Sequence, residues 1–424
     1  MRFSPSVLAV LTLTDGVFSF PASSKSQLQG RSFKVERVRR GNDAIHGPTA
    51  LRKAYEKFGI VPADLGIDMD DFEPITARHA VASKEDVSEP DQKGAVSASS
   101  VQGDAAFVSP VTIGGQKIVL NFDTGSADFW VMNSLLPAAA QKDRTVYNPS
   151  NSSTYKKMEG ATFNISYGDA SYAYGGVGTD TVNVGGAVVK NQAIGIPDTV
   201  SDAFIEDTTS SGLVGLGFSS LNTVKPRQKS FFENIAESLQ EPIMTATLKA
   251  DGVGEYEFGM LDHDKYQGDI ANVSVDSSGG FWLFKAAQFA VGDGPLQDIK
   301  ENPTAIADTG TSLMLLSQEV VDAYYAEVHG AIYTSSAGGY IYPCNVSLPG
   351  LSIAVGSNHL ATVPGNLINF SEVGVNKTTG GKVCFGGIQS SQGSSMQILG
   401  DVFLKAFFVV FDLRGPSLGI ASPK

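Results

Sequence analysis

The sequence predicts a mostly β protein made of two related halves, and three observations lead to this fold class. The chain has 424 residues, of which 42% are hydrophobic, so it is long enough for a large core divided among two or three units. After Val101, short runs rich in Val, Ile, Phe and Thr alternate with Gly, as in VTIGGQKIVLNF, which is typical of short strands joined by tight turns. The segment NFDTGSADFWVM from Asn121 returns as AIADTGTSLMLL from Ala305, which indicates an internal duplication.

Helical spacing is found only locally in this part of the chain. It predicts helices over residues 231–239 and 318–329. Each copy of the repeated segment is also followed by a Gly between apolar residues, Gly215 in GLVGLGF and Gly400 in QILGDVFL. We therefore expect the two halves to be built alike.

The start of the chain resembles a secretory signal peptide. Arg2 precedes an apolar stretch, and small residues follow near Ala22, although Asp15 interrupts the apolar region. We predict a signal over residues 1–22, and no other run of the sequence is long enough to span a bilayer.

Charge changes sign along the segment that follows. Residues 25–57 are basic, residues 64–91 are acidic, and the small residues at 95–100 are typical of a linker, so a boundary is predicted there. The whole chain has 31 Lys and Arg against 44 Asp and Glu, a net charge of −13. This balance argues against nucleic acid and against an anionic membrane as partners.

The two cysteines, Cys344 and Cys384, allow one intramolecular disulfide, which an extracellular chain is expected to form. The alternative is two buried free thiols. Six Asn-x-Ser/Thr sequons agree with secretion, although the one at Asn164 falls inside a predicted strand and is a doubtful acceptor. The sequons are at Asn151, Asn164, Asn272, Asn345, Asn369 and Asn376.

Two copies of Asp-Thr-Gly in matching surroundings point to catalysis by the carboxyls of Asp123 and Asp308. Hydrolysis of an amide needs a base that deprotonates water and an acid that protonates the substrate. Two carboxyls at hydrogen-bond distance repel each other when both are charged, so they hold one proton between them and supply both functions. The competing interpretation is that both aspartates only cap turns.

The rest of each motif has supporting tasks. The glycines let backbone N–H groups approach the carboxyls, the first threonines form hydrogen bonds to the opposite loop, and the next hydroxyls orient the outer carboxyl oxygens. These pairs are, in that order, Gly125 and Gly310, Thr124 and Thr309, and Ser126 and Thr311.

With these residues in view, nearly the whole chain resembles the fungal pepsin-like aspartic proteases of the penicillopepsin and aspergillopepsin type. The segments that carry the resemblance, in order, are VTIGGQKIVLNFDTGSADFWVM, ISYGDASYAYG, GLVGLGFSSLNTVKP, YIYPCNVSLPGL, VCFGGIQ and QILGDVFLKAFFVVFD. The resemblance implies two β-rich lobes, over residues 95–280 and 281–424, with the aspartate pair in the cleft between them. It also implies a disulfide between Cys344 and Cys384. The family's aspartate pair is itself the standard example of a shared proton.

The same resemblance makes ISYGDASYAYG a hairpin flap that closes over substrate. The resemblance assigns substrate contacts to Tyr167 and Gly168, with Trp130 as the partner of the Tyr167 hydroxyl. Without the resemblance, Tyr167 and Trp130 would be interpreted as core residues. Asp169 and Ser171 lie where fungal relatives place a polar pair near the first subsite, so Lys is expected to be tolerated at P1. The alternative for Asp169 is a solvated turn residue.

Residues 23–94 resemble a fungal propeptide, including FKVERV and ALRKAYEKFG. Its basic first half complements the acidic enzyme, so a fall in pH is expected to weaken the attraction and permit cleavage between Ser83 and Val101. Lys57, or with less support Lys53, is a candidate partner of the aspartate pair. The alternative is that this helix face is solvated.

The sequence therefore predicts a secreted aspartic endopeptidase, made as a self-activating zymogen, with broad and mainly hydrophobic specificity at acid pH. The expected partners are protein and peptide substrates and pepstatin-type inhibitors, the protein is expected to be a monomer, and neither a cofactor nor a metal is expected. A runner-up is a pepsin-fold protein without peptidase activity, such as an inhibitor or a carbohydrate-binding module. A metallopeptidase is disfavoured because HExxH is absent from the sequence.

Overall fold

The structure is a computed structural model that describes residues 33–40, 46–60, 72–74, 95–101, 106–166, 172–250, 254–357 and 359–424. The predicted signal peptide and the flap residues Tyr167, Gly168, Asp169 and Ser171 lie outside the described residues. The described part of the chain is mostly β, as predicted. Before residue 106 its elements are β1 (Phe33–Arg40), α1 (Gly47–Phe58), β2 (Phe72–Pro74) and β3 (Ala95–Val101).

The first of the two predicted halves contains ten strands and three short helices among the described residues. They are β4 (Ala106–Ile113), β5 (Gln116–Asp123), β6 (Phe129–Val131), α2 (Ala138–Gln141), β7 (Lys156–Ser166), β8 (Tyr172–Val184), β9 (Ala187–Val200), α3 (Asp202–Glu206), β10 (Gly212–Gly215), α4 (Phe231–Ile235), β11 (Ile243–Thr247), β12 (Glu255–Phe258) and β13 (Tyr266–Ser274).

The second half continues with strands and three more helices in the described chain. They are β14 (Leu283–Lys285), β15 (Gln288–Val291), β16 (Gln297–Asp298), β17 (Thr304–Ala307), β18 (Met314–Leu316), α5 (Gln318–Ala326), β19 (Ile332–Thr334), β20 (Gly339–Pro343), β21 (Leu351–Val355), β22 (His359–Val363), α6 (Gly365–Ile368), β23 (Asn369–Asn376), β24 (Lys382–Gly386), β25 (Ile388–Ser390), β26 (Gln397–Leu399), α7 (Asp401–Leu404), β27 (Phe408–Asp412) and β28 (Ser417–Pro423).

Both predicted helices are confirmed, with earlier ends than predicted. Ser230 and Glu233 form a capping box at the start of α4, which satisfies backbone N–H groups that a helix leaves unpaired. A 3₁₀ turn, Ala236–Ser238, follows α4, so the first predicted segment is helical to near its end. The second helix, α5, stops at Ala326 and buries Val320, Val321, Tyr324 and Tyr325 on one face.

The sheet pairings confirm the duplication. In the first half β5 pairs in parallel with β10, which is antiparallel to β6. In the second half β17 pairs in parallel with β26, which is antiparallel to β18. The strands β5, β10 and β6 of the first half thus correspond to β17, β26 and β18 of the second half. Each repeated Asp lies at the end of the first strand of its set or directly after it.

A fourteen-stranded sheet connects the two halves, in the order β13-β28-β27-β11-β12-β1-β3-β4-β5-β10-β6-β9-β8-β7. The last strands of the chain, β27 and β28, reach it because β27 pairs with β11 of the first half. β1 lies within this sheet, antiparallel to β12 and parallel to β3. The result is the bilobal β fold that the sequence predicts, with one large core cluster whose members come from both halves.

The predicted disulfide is present between Cys344, just after β20, and Cys384 in β24, whose Cα atoms are 4.9 Å apart. It closes a loop of 40 residues, for which loop entropy predicts about 4 kcal/mol of stabilisation. Among the helices of the described chain, none combines the length and apolarity that a bilayer crossing requires.

Candidate active site

Asp123 and Asp308 come together at the centre of the molecule. Asp123 is the last residue of β5, and Asp308 directly follows β17. Both residues are fully buried. A Cβ added at Gly125 would lie 2.6 Å from Asp308 Oδ1, so a side chain there would collide with the opposite carboxyl. Glycine is therefore required for the two loops to approach each other.

Each carboxyl receives the same two local hydrogen bonds. Gly125 N donates to Asp123 Oδ1 at 2.8 Å, and Ser126 Oγ donates to Asp123 Oδ2 at 2.7 Å. In the second loop, the Gly310 N–H and the Thr311 hydroxyl donate to Asp308 Oδ1 and Oδ2. These donors fix both oxygens of each carboxyl, as the motif predicts.

Thr124 and Thr309, one from each Asp-Thr-Gly loop, join the two loops to each other. Thr124 Oγ1 donates to the Ala307 carbonyl at 2.8 Å and accepts from Thr309 N at 3.0 Å. Thr309 Oγ1 donates to the Phe122 carbonyl at 2.7 Å and accepts from Thr124 N at 3.1 Å. Because each hydroxyl satisfies two buried backbone groups of the other half, the loops are held together as one rigid unit.

The ammonium of Lys57 lies between the two carboxyls. Its Nζ is 2.6 Å from Asp123 Oδ1, and 2.9 and 2.8 Å from the two oxygens of Asp308. The Lys57 side chain is 11% exposed, so these charges meet almost out of water. Of the two candidate lysines, the structure therefore selects Lys57 as the partner of the aspartate pair.

The electrostatics of this cluster are unequal. Burial raises the pKa of Asp123 to about 6, with a further increase from the neighbouring Asp308 and an opposing decrease from Lys57. Burial also disfavours the charged form of Asp308, but the Lys57 charge and the hydrogen bonds that Asp308 accepts outweigh it and lower its pKa. The carboxylates likewise outweigh burial at Lys57 and raise its pKa. Lys57 is thus an ammonium that faces at least one carboxylate.

Helix α1 brings Lys57 to this position by packing on the second half. Pro48 lies in its first turn, and Gly59 ends it in the left-handed conformation with a φ of 66°. Its buried face, which includes Leu51 and Tyr55, contacts apolar residues of the second half such as Phe385. The Tyr55 hydroxyl also donates to the Ser390 carbonyl at 2.8 Å. The helix therefore has a specific docking surface beside the aspartate pair.

Trp130 is 2% exposed in β6, which pairs with β10, the strand that lies beside β5 and the first motif. Its ring meets Phe204 of α3 edge to face, with centroids 5.0 Å apart. Its indole Nε1 is buried without an acceptor among the described residues. Its predicted partner, Tyr167, lies outside the described residues.

Asp128 is a buried acid that sequence reasoning missed. It lies in the first catalytic-type loop at 2% exposure and accepts hydrogen bonds from Thr223 N at 3.0 Å and Asn222 Nδ2 at 3.2 Å. Burial raises the pKa of Asp128 to about 6, although the hydrogen bonds from Thr223 act to lower it. Its place in DTGSAD next to a repeated motif was the only available signal.

Among the described residues there is no group of three or more His, Cys, Asp and Glu side chains that could hold a metal ion. What the site provides is a pair of carboxyls, each oriented by fixed donors and placed by two loops of the same design. A bilobal β fold that unites two such Asp-Thr-Gly loops is that of a pepsin-like aspartic protease.

The comparison with known proteins agrees with this class. The model of the family described as eukaryotic aspartyl protease matches residues 106–423, and the chain belongs to this family.

Similar proteins are found among fungi. The chain is 69% identical to an aspergillopepsin A-like aspartic endopeptidase of Aspergillus fumigatus, with complete coverage of both chains. It is 47% identical to aspartic protease PEP3 of Coccidioides posadasii, over 99% of this chain and 96% of the relative. It is 42% identical to aspergillopepsin-1 of Aspergillus oryzae, over 92% of each chain. The protein is thus an aspartic endopeptidase, a hydrolase that acts on proteins or peptides.

Proposed function

We propose that Asp123 and Asp308 are the catalytic pair of this endopeptidase. The observation that carries the proposal is their convergence on one nitrogen, with each carboxyl held by a glycine N–H and a hydroxyl. A water molecule in the place of Lys57 Nζ would contact both carboxyls. One carboxylate takes a proton from this water as the oxygen attacks the peptide carbonyl carbon, and the other carboxyl donates its proton to the carbonyl oxygen. Transfer of a proton to the amide nitrogen then lets the C–N bond break.

Mutual repulsion keeps the two acids in unequal protonation states, because it limits the pair to one charge over an acid range. The hydrogen bonds donated by Gly125, Ser126, Gly310 and Thr311 stabilise whichever carboxyl is ionised. Water activation at acid pH follows from this coupling.

We also infer that residues 23–94 are a propeptide and that the described chain is the zymogen. Lys57 supports this because its ammonium occupies the space that water and substrate need. Protonation of the aspartates weakens its hold, and cleavage between Ser83 and Val101 then frees the cleft. The enzyme is secreted after removal of the signal at 1–22, and the exposed sequon asparagines, Asn164 in β7 among them, are available for glycosylation.

Specificity is broad and mainly hydrophobic in this proposal, and a pepstatin-type mimic of the tetrahedral intermediate inhibits the monomeric enzyme. Tyr167 and Gly168 of the flap cover the substrate, and the indole N–H of Trp130, which has no acceptor among the described residues, is available for the Tyr167 hydroxyl. Asp169 and Ser171 accept Lys at P1. An Asp169→Ala enzyme that cleaves P1-Lys and P1-Phe peptides in an unchanged ratio would remove that part of the proposal.

Self-processing tests the catalytic assignment. Full-length zymogen is incubated at pH about 3 to 4 and its mass is followed, for the wild type and for Asp123→Asn, Asp308→Asn and, as a control, Asp293→Asn at an exposed position. We expect the wild type and Asp293→Asn to shorten and the first two variants to remain intact, since an amide neither takes up nor donates the required proton. Unaided shortening of Asp123→Asn or Asp308→Asn would contradict the assignment.

A further inference from the structure

A second ion pair connects helix α1 to the enzyme, one helical turn before Lys57. Lys53 Nζ is 2.8 Å from Asp207 Oδ2, and the two side chains are 51% and 28% exposed. Residues four apart on a helix lie on the same face, about 6 Å apart along the axis. Asp207 therefore lies at the rim of the cleft, about one helical turn from the aspartate pair. Because the Lys53 side chain is half exposed, this ion pair contributes little to holding the helix, and the part-buried Asp207 carboxylate needs a further explanation.

The loop that carries Asp207 is built independently of Lys53. Thr209 donates to Asp207 Oδ1 from its backbone N–H at 3.1 Å and also from its hydroxyl. Arg144 donates to the carbonyls of Phe204 and Ile205 at 2.9 and 2.7 Å, and to that of Ser210 at 3.3 Å. Both ends of the loop are thereby anchored, with Asp207 between them.

Two further contacts describe what this loop faces. The Phe204 ring, from helix α3 just before this loop, lies against Trp130, whose strand pairs with β10 beside Asp123. Arg144 donates its hydrogen bonds to backbone carbonyls, and its charge also interacts with Asp207, whose ion pair is with Lys53 at 2.8 Å. Burial disfavours the charged form of Asp207, but Lys53 and the hydrogen bonds from Thr209 outweigh it and lower its pKa. The loop therefore presents an oriented carboxylate on the wall of the candidate active site.

We propose that Asp207 is a subsite for a basic side chain of the peptide substrate, and that Lys53 occupies this subsite in the present structure. The proposal rests on the proposed function, because α1 must leave the cleft before Asp207 meets substrate. An extended peptide advances about 3.3 Å per residue, so the 6 Å of one helical turn corresponds to about two residues. The preferred Lys or Arg thus lies about two residues from the cleaved bond, beyond the P1 position assigned to Asp169.

The test uses processed enzyme and a set of peptides that differ only in the position of one Lys. Each Lys peptide has a partner with norleucine, which has a similar length without charge, and one peptide is neutral throughout. We expect Lys two residues from the cleaved bond to raise kcat/KM about fivefold over norleucine, the upper range for a partly exposed pair. Asp207→Asn is expected to lower the ratio of kcat/KM for Lys over norleucine to about one, while Asp207→Glu retains part of the preference. Added salt should reduce the ratio in the wild type.

The outcomes separate the two proposals. Cleavage of the neutral peptide at the same rate by wild type and Asp207→Asn shows that the variant is folded. If the ratios of Lys to norleucine are then equal in both enzymes at every position, the subsite does not exist, although the catalytic proposal stands. If the wild type cleaves no peptide, the catalytic proposal fails and the subsite falls with it.

Discussion

Replacement of Lys57 by Gln should release the cleft at a pH where the wild type is closed. The ammonium contacts three carboxyl oxygens and is 11% exposed, while the carboxyls are at most 1% exposed. Removal of one partner from such a buried pair costs about 3 to 5 kcal/mol. The aspartates can take up a proton in the variant, so we expect the lower value. About 3 kcal/mol corresponds to a change on the order of 100-fold in the ratio of docked to undocked helix.

The sign of the pH dependence follows from the two carboxyls. Lys57 lowers the pKa of both relative to the same site without it, so its contribution to docking is present above their undocked pKa values and is lost as pH falls. For Asp123, whose pKa is about 6 with the helix docked, the loss begins above pH 6 and is complete near that pH. For Asp308, whose pKa lies below its ordinary value of 3.8, the loss is completed only below that pH. Docking therefore weakens in two steps.

The assay follows the shortening of the dilute full-length chain, the proposed zymogen, by mass spectrometry between pH 7 and 3. The wild type should remain intact above about pH 6, where Lys57 still pairs with at least one carboxylate, and convert progressively below it as the remaining contribution from Asp308 is lost. Lys57→Gln should convert already between pH 6 and 7. Arg52→Gln is the matched control on the same helix, since Arg52 is 69% exposed and its ion pair within the described part of the chain is with Glu56. Equal conversion of Lys57→Gln and wild type at every pH would refute the proposed role of the ammonium.

Two more changes test the catalytic loops. Asp128→Asn should stabilise the protein at pH 7 but not below pH 3.8. Because the pKa of Asp128 is raised from 3.8 to about 6 in the folded protein, its ionised form lowers the free energy of unfolding by about 3 kcal/mol above pH 6. This destabilisation disappears as pH falls to 3.8. Urea unfolding at pH 7 and pH 3.5 checks this, and an equal effect at both would show that Asp128 does not titrate as stated. Thr124→Val should lower stability by about 2 to 4 kcal/mol and reduce kcat, because it leaves Thr309 N and the Ala307 carbonyl buried and unpaired. Thr362→Val, at an exposed strand position, is the control, and a Thr124→Val protein as stable and active as that control would count against the bridging role.

The centre of the site could be predicted from the sequence because its information is local and occurs twice. Asp123 and Asp308 each stand in a motif whose glycine, threonine and hydroxyl residues have defined tasks, and the structure has the expected hydrogen bonds. The disulfide was also accessible, since Cys344 and Cys384 are the only cysteines of the chain. In both cases few arrangements were possible.

Contacts between distant segments were less accessible. Lys53 and Lys57 lie on the same face of α1, so periodicity alone could not decide which of them meets the aspartates; the packing of Tyr55 and its neighbours on the second half decides it. Asp207 and Asp128 carry no motif, since their character comes from burial and from partners such as Thr209 and Thr223. The pairing of β27 with β11 is likewise a long-range choice that strand patterns do not specify.

The position of β1 makes a return to the precursor difficult once the chain is cut. While residues 33–40 are covalently attached, the linker keeps them at a high effective concentration beside β12 and β3, and every dissociation is quickly reversed. If they depart with the proposed propeptide, two rows of amide and carbonyl groups in the middle of a sheet lose their partners, and such edges seek new ones. Whatever strand fills that gap would block reinsertion, so a brief exposure to acid would have a permanent effect.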